Sequence, residues 1–225
     1  MLVERGVESV LEIGPGEGIL TKELLKNGVE VAAVEKDQRF FELLNATEKY
    51  NEDILTFNIQ EWIDKNKRRA SAAIVGNIPY NISTPIIRTL LPYADKLNCI
   101  LLMVQKEFAH KLTDQGASAL SLITQLRADV GVEFEVGREN FNPVPKVDSS
   151  VISLRYKNRG LDETALKKIE KLIQHSFLQR RKKLRNTLKP FLESDHRVPD
   201  SLLEKRPDSL SVDEYIELSM LLGGA

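Results

Sequence analysis

The 225-residue sequence is short of several things at once: one cysteine, Cys99, one tryptophan, three histidines, and aromatic residues at only 6%. A lone cysteine excludes an internal disulfide framework. The histidines, His110, His175 and His196, are far apart and Cys99 sits in an apolar run, so no metal-ligand spacing is present and no metal is expected. Uninterrupted aliphatic stretches end at residues 100–104, far below the ~20 apolar residues of a membrane span. The amino terminus lacks the basic, apolar and small-residue order of a secretory signal, so the reducing cytoplasm is the expected compartment. Charge of one sign is lacking too, since 32 basic and 33 acidic residues leave a net −1 that by itself names no polyanionic partner. What remains, 42% hydrophobic and 29% charged residues, is the composition of a globular protein with a sizeable core.

The charge is distributed unevenly. Residues 155–189 hold twelve Lys and Arg against three acids, whereas residues 190–225 hold three basic and eight acidic residues. Within the basic stretch, Arg180, Arg181, Lys182, Lys183 and Arg185 fall in eight positions without one acid. Such a density suits a phosphate backbone, and a solvated helix face explains it as well. Apolar runs at 10–13, 29–35, 72–76, 99–105, 130–136 and 151–155 predict strands. Between them, 20–25, 40–44, 85–91, 106–112 and 120–127 have helical period, which together predict an open α/β sheet. Beyond Tyr156 only helices are expected, at 163–177, 180–192 and 212–222. The division expected is 1–157 for the sheet domain and 158–225 for a small all-helical domain.

Gly14, Gly16 and Gly18 alternate between a buried strand and a helix, where a sharp turn and close approach of a ligand both favour glycine. In an open α/β sheet that turn lies at the carboxyl edge, where ligands bind. A dinucleotide fingerprint would place its third glycine at position 19, which is Ile19. A nicotinamide oxidoreductase is disfavoured on that spacing. Glu35 ends the next strand, where a carboxylate can accept from both hydroxyls of a ribose. Glu12 lies in an otherwise apolar strand and needs a partner, either a ligand's ammonium or nearby amides. Asp53 and Ile54 could meet an adenine's amine and ring face, and a surface turn accounts for Asp53 equally well.

The G-x-G-x-G spacing resembles the motif of class I methyltransferases. Asn77-Ile78-Pro79-Tyr80-Asn81-Ile82-Ser83, after the strand at 72–76, is similar to the signature of enzymes that methylate exocyclic or amide nitrogens. Phe141-Asn142-Pro143-Val144-Pro145-Lys146-Val147-Asp148-Ser149-Ser150 and the basic run from Phe177 to Asn186 follow in the same order as in the rRNA adenine N6-methyltransferase family. Three ordered motifs across nearly the whole chain identify the sequence as resembling that family, and Asp148 inclines it to the small-subunit rRNA adenine dimethyltransferases.

The resemblance implies a Rossmann-like, mostly parallel seven-stranded sheet, with S-adenosyl-L-methionine as cofactor. Its cofactor residues would be Glu12, Gly14, Gly16, Glu35, Lys36, Asp53, Ile54 and Asn77. Asn77, Pro79, Tyr80 and Phe141 would be catalytic. A side-chain carbonyl of Asn77 and a main-chain carbonyl of Ile78 or Pro79 would accept the two protons of an adenine amine, with Tyr80 and Phe141 clamping a base drawn out of its stack. Core aromatics and an ordinary turn asparagine are the plainer reading of each residue taken singly. Lys146, Arg180, Arg181, Lys182, Lys183 and Arg185 would touch RNA. The implied reaction is dimethylation of two adjacent adenosines in the 3′-terminal hairpin loop of small-subunit rRNA, by a monomer acting on immature small subunits with no membrane contact. Two other readings stay open: an RNA-binding assembly factor with impaired catalysis, and a large-subunit enzyme of the macrolide-resistance type. Related sequences carry a further Gln-Asn/His-Phe-Leu segment before the glycine loop, and here Gly14 follows Met1 by 13 residues. Weak cofactor binding is the expectation from that departure, and a mis-assigned start codon would explain it as well.

Overall fold

A computed structural model describes residues 2–66, 71–114, 116, 118–192 and 197–223. His196, one of the three scattered histidines, lies outside the described residues. The described chain divides into two compact units, Met1–Ala109 with Ala128–Tyr156, and His110–Arg127 with Lys157–Ala225.

The first unit is built on a seven-stranded sheet of β1 (Ser9–Ile13), β2 (Glu30–Val34), β3 (Glu48–Tyr50), β4 (Ala72–Asn77), β5 (Cys99–Gln105), β6 (Ala128–Val136) and β7 (Ser149–Tyr156). Their spatial order is β3-β2-β1-β4-β5-β7-β6. The first five run parallel, and β7 is antiparallel to both β5 and β6. The central strands are mostly apolar because a parallel strand is buried on both faces, and every residue of β1 is buried, Ser9 and Glu12 included. On one face Val10, Val31, Ala73, Val75 and Cys99 form a core closed by Leu24 of α1 (Ile19–Lys26). The remaining crossovers carry α2 (Gln38–Leu43), α3 (Ile59–Lys65) and α4 (Ser83–Leu90).

Six strands match the apolar runs, and the seventh, β3, was not marked by the pattern. Its three residues, Glu48, Lys49 and Tyr50, are polar or exposed, and only their pairing with Ala32–Val34 makes them a strand. The helix α3 is likewise additional. Asn58 caps it by accepting the Glu61 amide at 3.1 Å, and Ile59, Trp62 and Ile63 bury one face.

In the second unit, α6 (Ala119–Arg127), α7 (Glu163–Phe177) and α10 (Val212–Leu222) pack together, and the division between units falls within α5 (Lys106–Thr113). Residues 110–127 therefore join the helical unit although their sequence position lies among the strands. Two arginines account for this. Arg127, 5% exposed, donates to both carboxylate oxygens of Glu163, at 2.8 and 2.9 Å, and to Glu170. Arg159 donates to the carbonyls of Leu126 and Gln125 and to Asp213.

The expected single helix at 180–192 is corrected. The chain turns at 178–183, a four-residue α8 (Leu184–Thr187) follows, and Lys189–Phe191 closes in a 3-10 turn. The Leu184 amide donates to the Lys205 carbonyl at 2.8 Å instead of to its own helix. Lys183 is extended at ψ 151°, and Pro190 offers no amide to continue. A short α9 (Asp200–Leu203) precedes α10. No described helix is long and apolar enough to cross a membrane.

Candidate active site

The register of the sheet gathers the predicted residues on its carboxyl edge. Ile13 pairs with Val34 on one side and with Gly76 on the other, so the turns after β1, β2 and β4 leave the sheet side by side. Gly76 pairs with Leu102, and Asn77 with Met103, adding the end of β5. Because β7 runs the opposite way, its first residue, Ser149, falls on the same edge beside Gln105.

After β1, Gly14, Gly16 and Gly18 have φ of +61°, +54° and +73°, a region L-residues with a side chain rarely occupy. A Cβ built on Gly14 or Gly16 would meet nothing within 4 Å, so the turn is a cradle open to a ligand. The buried carboxylate of Glu35 accepts the Gly16 amide at 3.1 Å through one oxygen and the Asp37 amide at 2.8 Å through the other. Each oxygen keeps a second lone pair for a ligand's hydroxyls. Asn51 fixes the same turn by donating its side-chain amide to the Glu35 carbonyl at 2.9 Å.

Lys36 and Asp53 are brought together as an ion pair of 2.8 Å. The bond from Lys36, with a second from the Leu55 amide, holds the Asp53 carboxyl below its usual range. Ile54 beside it is buried. Glu12 is 2% exposed and has its partner within the protein: Thr21, on the first turns of α1, donates its hydroxyl at 2.6 Å. Burial pushes the Glu12 carboxyl up, and the Thr21 bond opposes that shift.

Asn77 ends β4 with its side chain exposed, and buried Ile78 and exposed Pro79 follow. The Pro79 carbonyl accepts the Ile82 amide at 3.1 Å, so it is turned back into its own 3-10 turn. Half-buried Tyr80 places its hydroxyl 2.6 Å from the hydroxyl of Ser149. Phe141, half-buried, follows the 3-10 turn Arg138–Asn140. Lys146 is exposed in the loop beyond it.

The basic run belongs to the second unit. There Arg180 pairs with Asp208 at 3.0 Å, Lys183 with Glu204 at 2.5 Å, and Arg185 with both Asp200 and Glu204 at 2.8 and 3.1 Å. Arg181 and Lys182 are exposed and make no ion pair among the described residues. The acidic carboxyl-terminal stretch thus meets half of the cations that the sequence set apart for RNA.

Thr21, Asn51 and Ser149 are the residues that motif reading missed. Thr21 and Ser149 are buried polar side chains, a signal that becomes legible only once the packing of α1 on β1 and the pairing of β7 with β5 are known. A cavity of about 670 Å³ opens at the opposite, amino edge of the sheet, between Ser9, Glu30, Thr47 and Lys65, and includes none of the predicted site residues.

The seven-stranded, mostly parallel sheet is that of a class I methyltransferase. The family model described as "Ribosomal RNA adenine dimethylase" matches residues 5–218, and the chain belongs to that family. A protein of Parabacteroides distasonis named "Ribosomal RNA small subunit methyltransferase A" is 36% identical over 94% of this chain and 82% of its own length. One of the same name from Flavobacterium johnsoniae is 36% identical over 96% of this chain and 85% of its own. Among solved structures, a dimethyladenosine transferase from Plasmodium falciparum superposes with a TM-score of 0.72 at 25% identity, covering 98% of this chain and 92% of that one. The 23S rRNA methyltransferase ErmE gives a TM-score of 0.72 at 29% identity, covering 97% and 92%.

Proposed function

We propose that this chain transfers methyl groups from S-adenosyl-L-methionine to the exocyclic amine of two adjacent adenosines in the 3′-terminal hairpin loop of small-subunit rRNA. The observation that carries this is the side-by-side exit of the glycine turn and the Asn-Ile-Pro-Tyr turn, fixed by the pairing of Ile13 with Gly76. Family membership and the names of the 36% identical relatives support the choice of RNA.

The residues present fit the cofactor. Gly14 and Gly16 leave room for it, Glu35 retains acceptor capacity for its ribose, and Asp53 is held ionised at the adenine end. When bound, S-adenosyl-L-methionine supplies a methyl group activated by its sulfonium. The protein's own contribution is to the acceptor. An adenine amine is a poor nucleophile because its lone pair is delocalised into the ring. Accepting both of its protons on carbonyl oxygens favours a pyramidal nitrogen with a localised lone pair. Asn77 offers the side-chain oxygen. The main-chain acceptor is the carbonyl of Ile78 or Pro79, and the bond the Pro79 carbonyl already accepts from Ile82 favours Ile78. Once the C–N bond forms, the nitrogen is acidic and releases its proton to water, so no strong base is required. Tyr80 and Phe141 hold the base by its faces, and the gain is one of orientation. Lys146, with Arg181 and Lys182, supplies phosphate contacts. The setting remains the cytoplasmic, monomeric one expected above.

Tritiated-methyl transfer to immature small subunits tests the assignment. Asn77→Ala is expected to lower the rate by about a hundredfold, the scale of losing one preorganised polar contact at a reacting centre. Equal counts from both proteins would contradict it.

A further inference from the structure

We infer that Ser149 is a positioning residue for catalysis, acting through the hydroxyl of Tyr80. The inference rests on the proposed stacking of adenine on Tyr80 and names what fixes that ring. A hydroxyl on a fully buried strand position is costly unless it is bonded, and the bond Ser149 makes is to Tyr80, at 2.6 Å. Ser149 is anchored between two neighbours, paired with Gln105 of β5 and Val136 of β6, so its hydroxyl is a fixed point on the sheet edge. Tyr80, by contrast, stands on a three-residue 3-10 turn, and its ring hydroxyl reaches the sheet at Ser149.

The preceding residue ties down the other wall. The Asp148 carboxylate accepts the Arg138 amide and pairs with its guanidinium, each at 3.2 Å, and the Arg138 carbonyl accepts the Phe141 amide at 3.3 Å. The Asp148 carbonyl in turn accepts the Lys106 amide at 3.0 Å. One dipeptide at the start of β7 therefore anchors the turns that carry both aromatic residues. Its effect belongs to kcat, because a freely rotating ring still offers a face to the base while losing the orientation of the amine.

The test measures kcat and KM for immature small subunits with Ser149→Ala, Tyr80→Phe and the double variant. Ser150→Ala is the control, since Ser150 is equally buried on the same strand but its hydroxyl has no hydrogen-bond partner among the described residues. Ser149→Ala and Tyr80→Phe are each expected to lower kcat about fivefold with KM within about twofold, the scale of one hydroxyl bond. The double variant is expected to match the singles, because both remove the same bond. Ser150→Ala is expected to retain the wild-type kcat. If Ser149→Ala fails to fold, Tyr80→Phe removes the bond from a half-buried position and carries the same expectation. Wild-type kcat in Tyr80→Phe, additive losses in the double variant, or an equal loss in Ser150→Ala overturns the inference while leaving the proposed reaction intact. An inactive wild-type protein overturns the reaction, and this inference with it.

Discussion

Glu12 and Thr21 show how a single buried contact tunes a carboxyl two residues before the glycine turn. The carboxyl is raised by burial and eased by one hydroxyl at 2.6 Å. A carboxyl whose folded pKa stands above the ordinary 4.5 binds its proton more tightly folded than unfolded. Its contribution to stability therefore falls as pH rises from 4.5 through the folded pKa. Thr21→Val removes the opposing bond and leaves the carboxylate without its donor. That variant is expected to lose about 1–3 kcal/mol above the window, to lose less below it, and to carry the window to higher pH. Urea unfolding followed between acid and neutral pH checks this, and a loss independent of pH would show that Thr21 acts only by packing.

At the scale of elements, the helical unit depends on Arg127, which joins the end of α6 to two turns of α7 through Glu163 and Glu170. Burial opposes its charge, and the two carboxylates more than restore it, so the guanidinium pKa is raised. Arg127→Ala strands Glu170 and is expected to cost about 3 kcal/mol. The bond from Arg127 holds the Glu163 carboxyl below 4.5, so this stability is present above 4.5 and is lost as pH falls through the folded pKa. Thermal melts should show the wild type losing stability on acidification below 4.5 more steeply than Arg127→Ala, and parallel curves would contradict that. Elements like these also mark how far the sequence could be read. The glycine turn, the Asn-Ile-Pro-Tyr turn and the Phe141 loop were legible because two follow long buried strands and the third precedes one. β3 was not, since three polar residues carry no period and owe their strand to β2. The stretch at 180–192 misled because its leucines repeat at helical spacing, while the bond from Leu184 to Lys205 and the proline at 190 break the helix. Ser149 stood in the quoted motif, but its bond to Tyr80 exists only because β7 is antiparallel and begins where β4 and β5 end.

Over the molecule, a net charge of −1 conceals a basic segment answered by its own acidic tail. Ion pairs with Asp200, Glu204 and Asp208 hold Arg180, Lys183 and Arg185, leaving Arg181 and Lys182 as the cations with no ion pair among the described residues of that run. Exposed pairs of this kind are worth little and exchange with phosphate, but each phosphate contact then displaces an acid as well as a counterion. Charge reversal at Arg181 and Lys182 together is expected to weaken binding to immature small subunits and to reduce the slope of log K against log salt by about 2, roughly one per cation. Glu204→Gln, which frees Lys183 and leaves Arg185 paired with Asp200 alone, is expected to tighten binding at low salt. Filter binding across a salt titration measures both, and unchanged slopes would remove this segment from the RNA interface.

The account stands most directly on the nucleoside that leaves the site. Small- and large-subunit RNA incubated with the protein and S-adenosyl-L-methionine, digested and resolved by mass spectrometry, should yield N6,N6-dimethyladenosine from the 3′ region of the small-subunit RNA, and far less of it in the same time with Asn77→Ala. Dimethyladenosine confined to the large subunit, or none from either RNA, would contradict it.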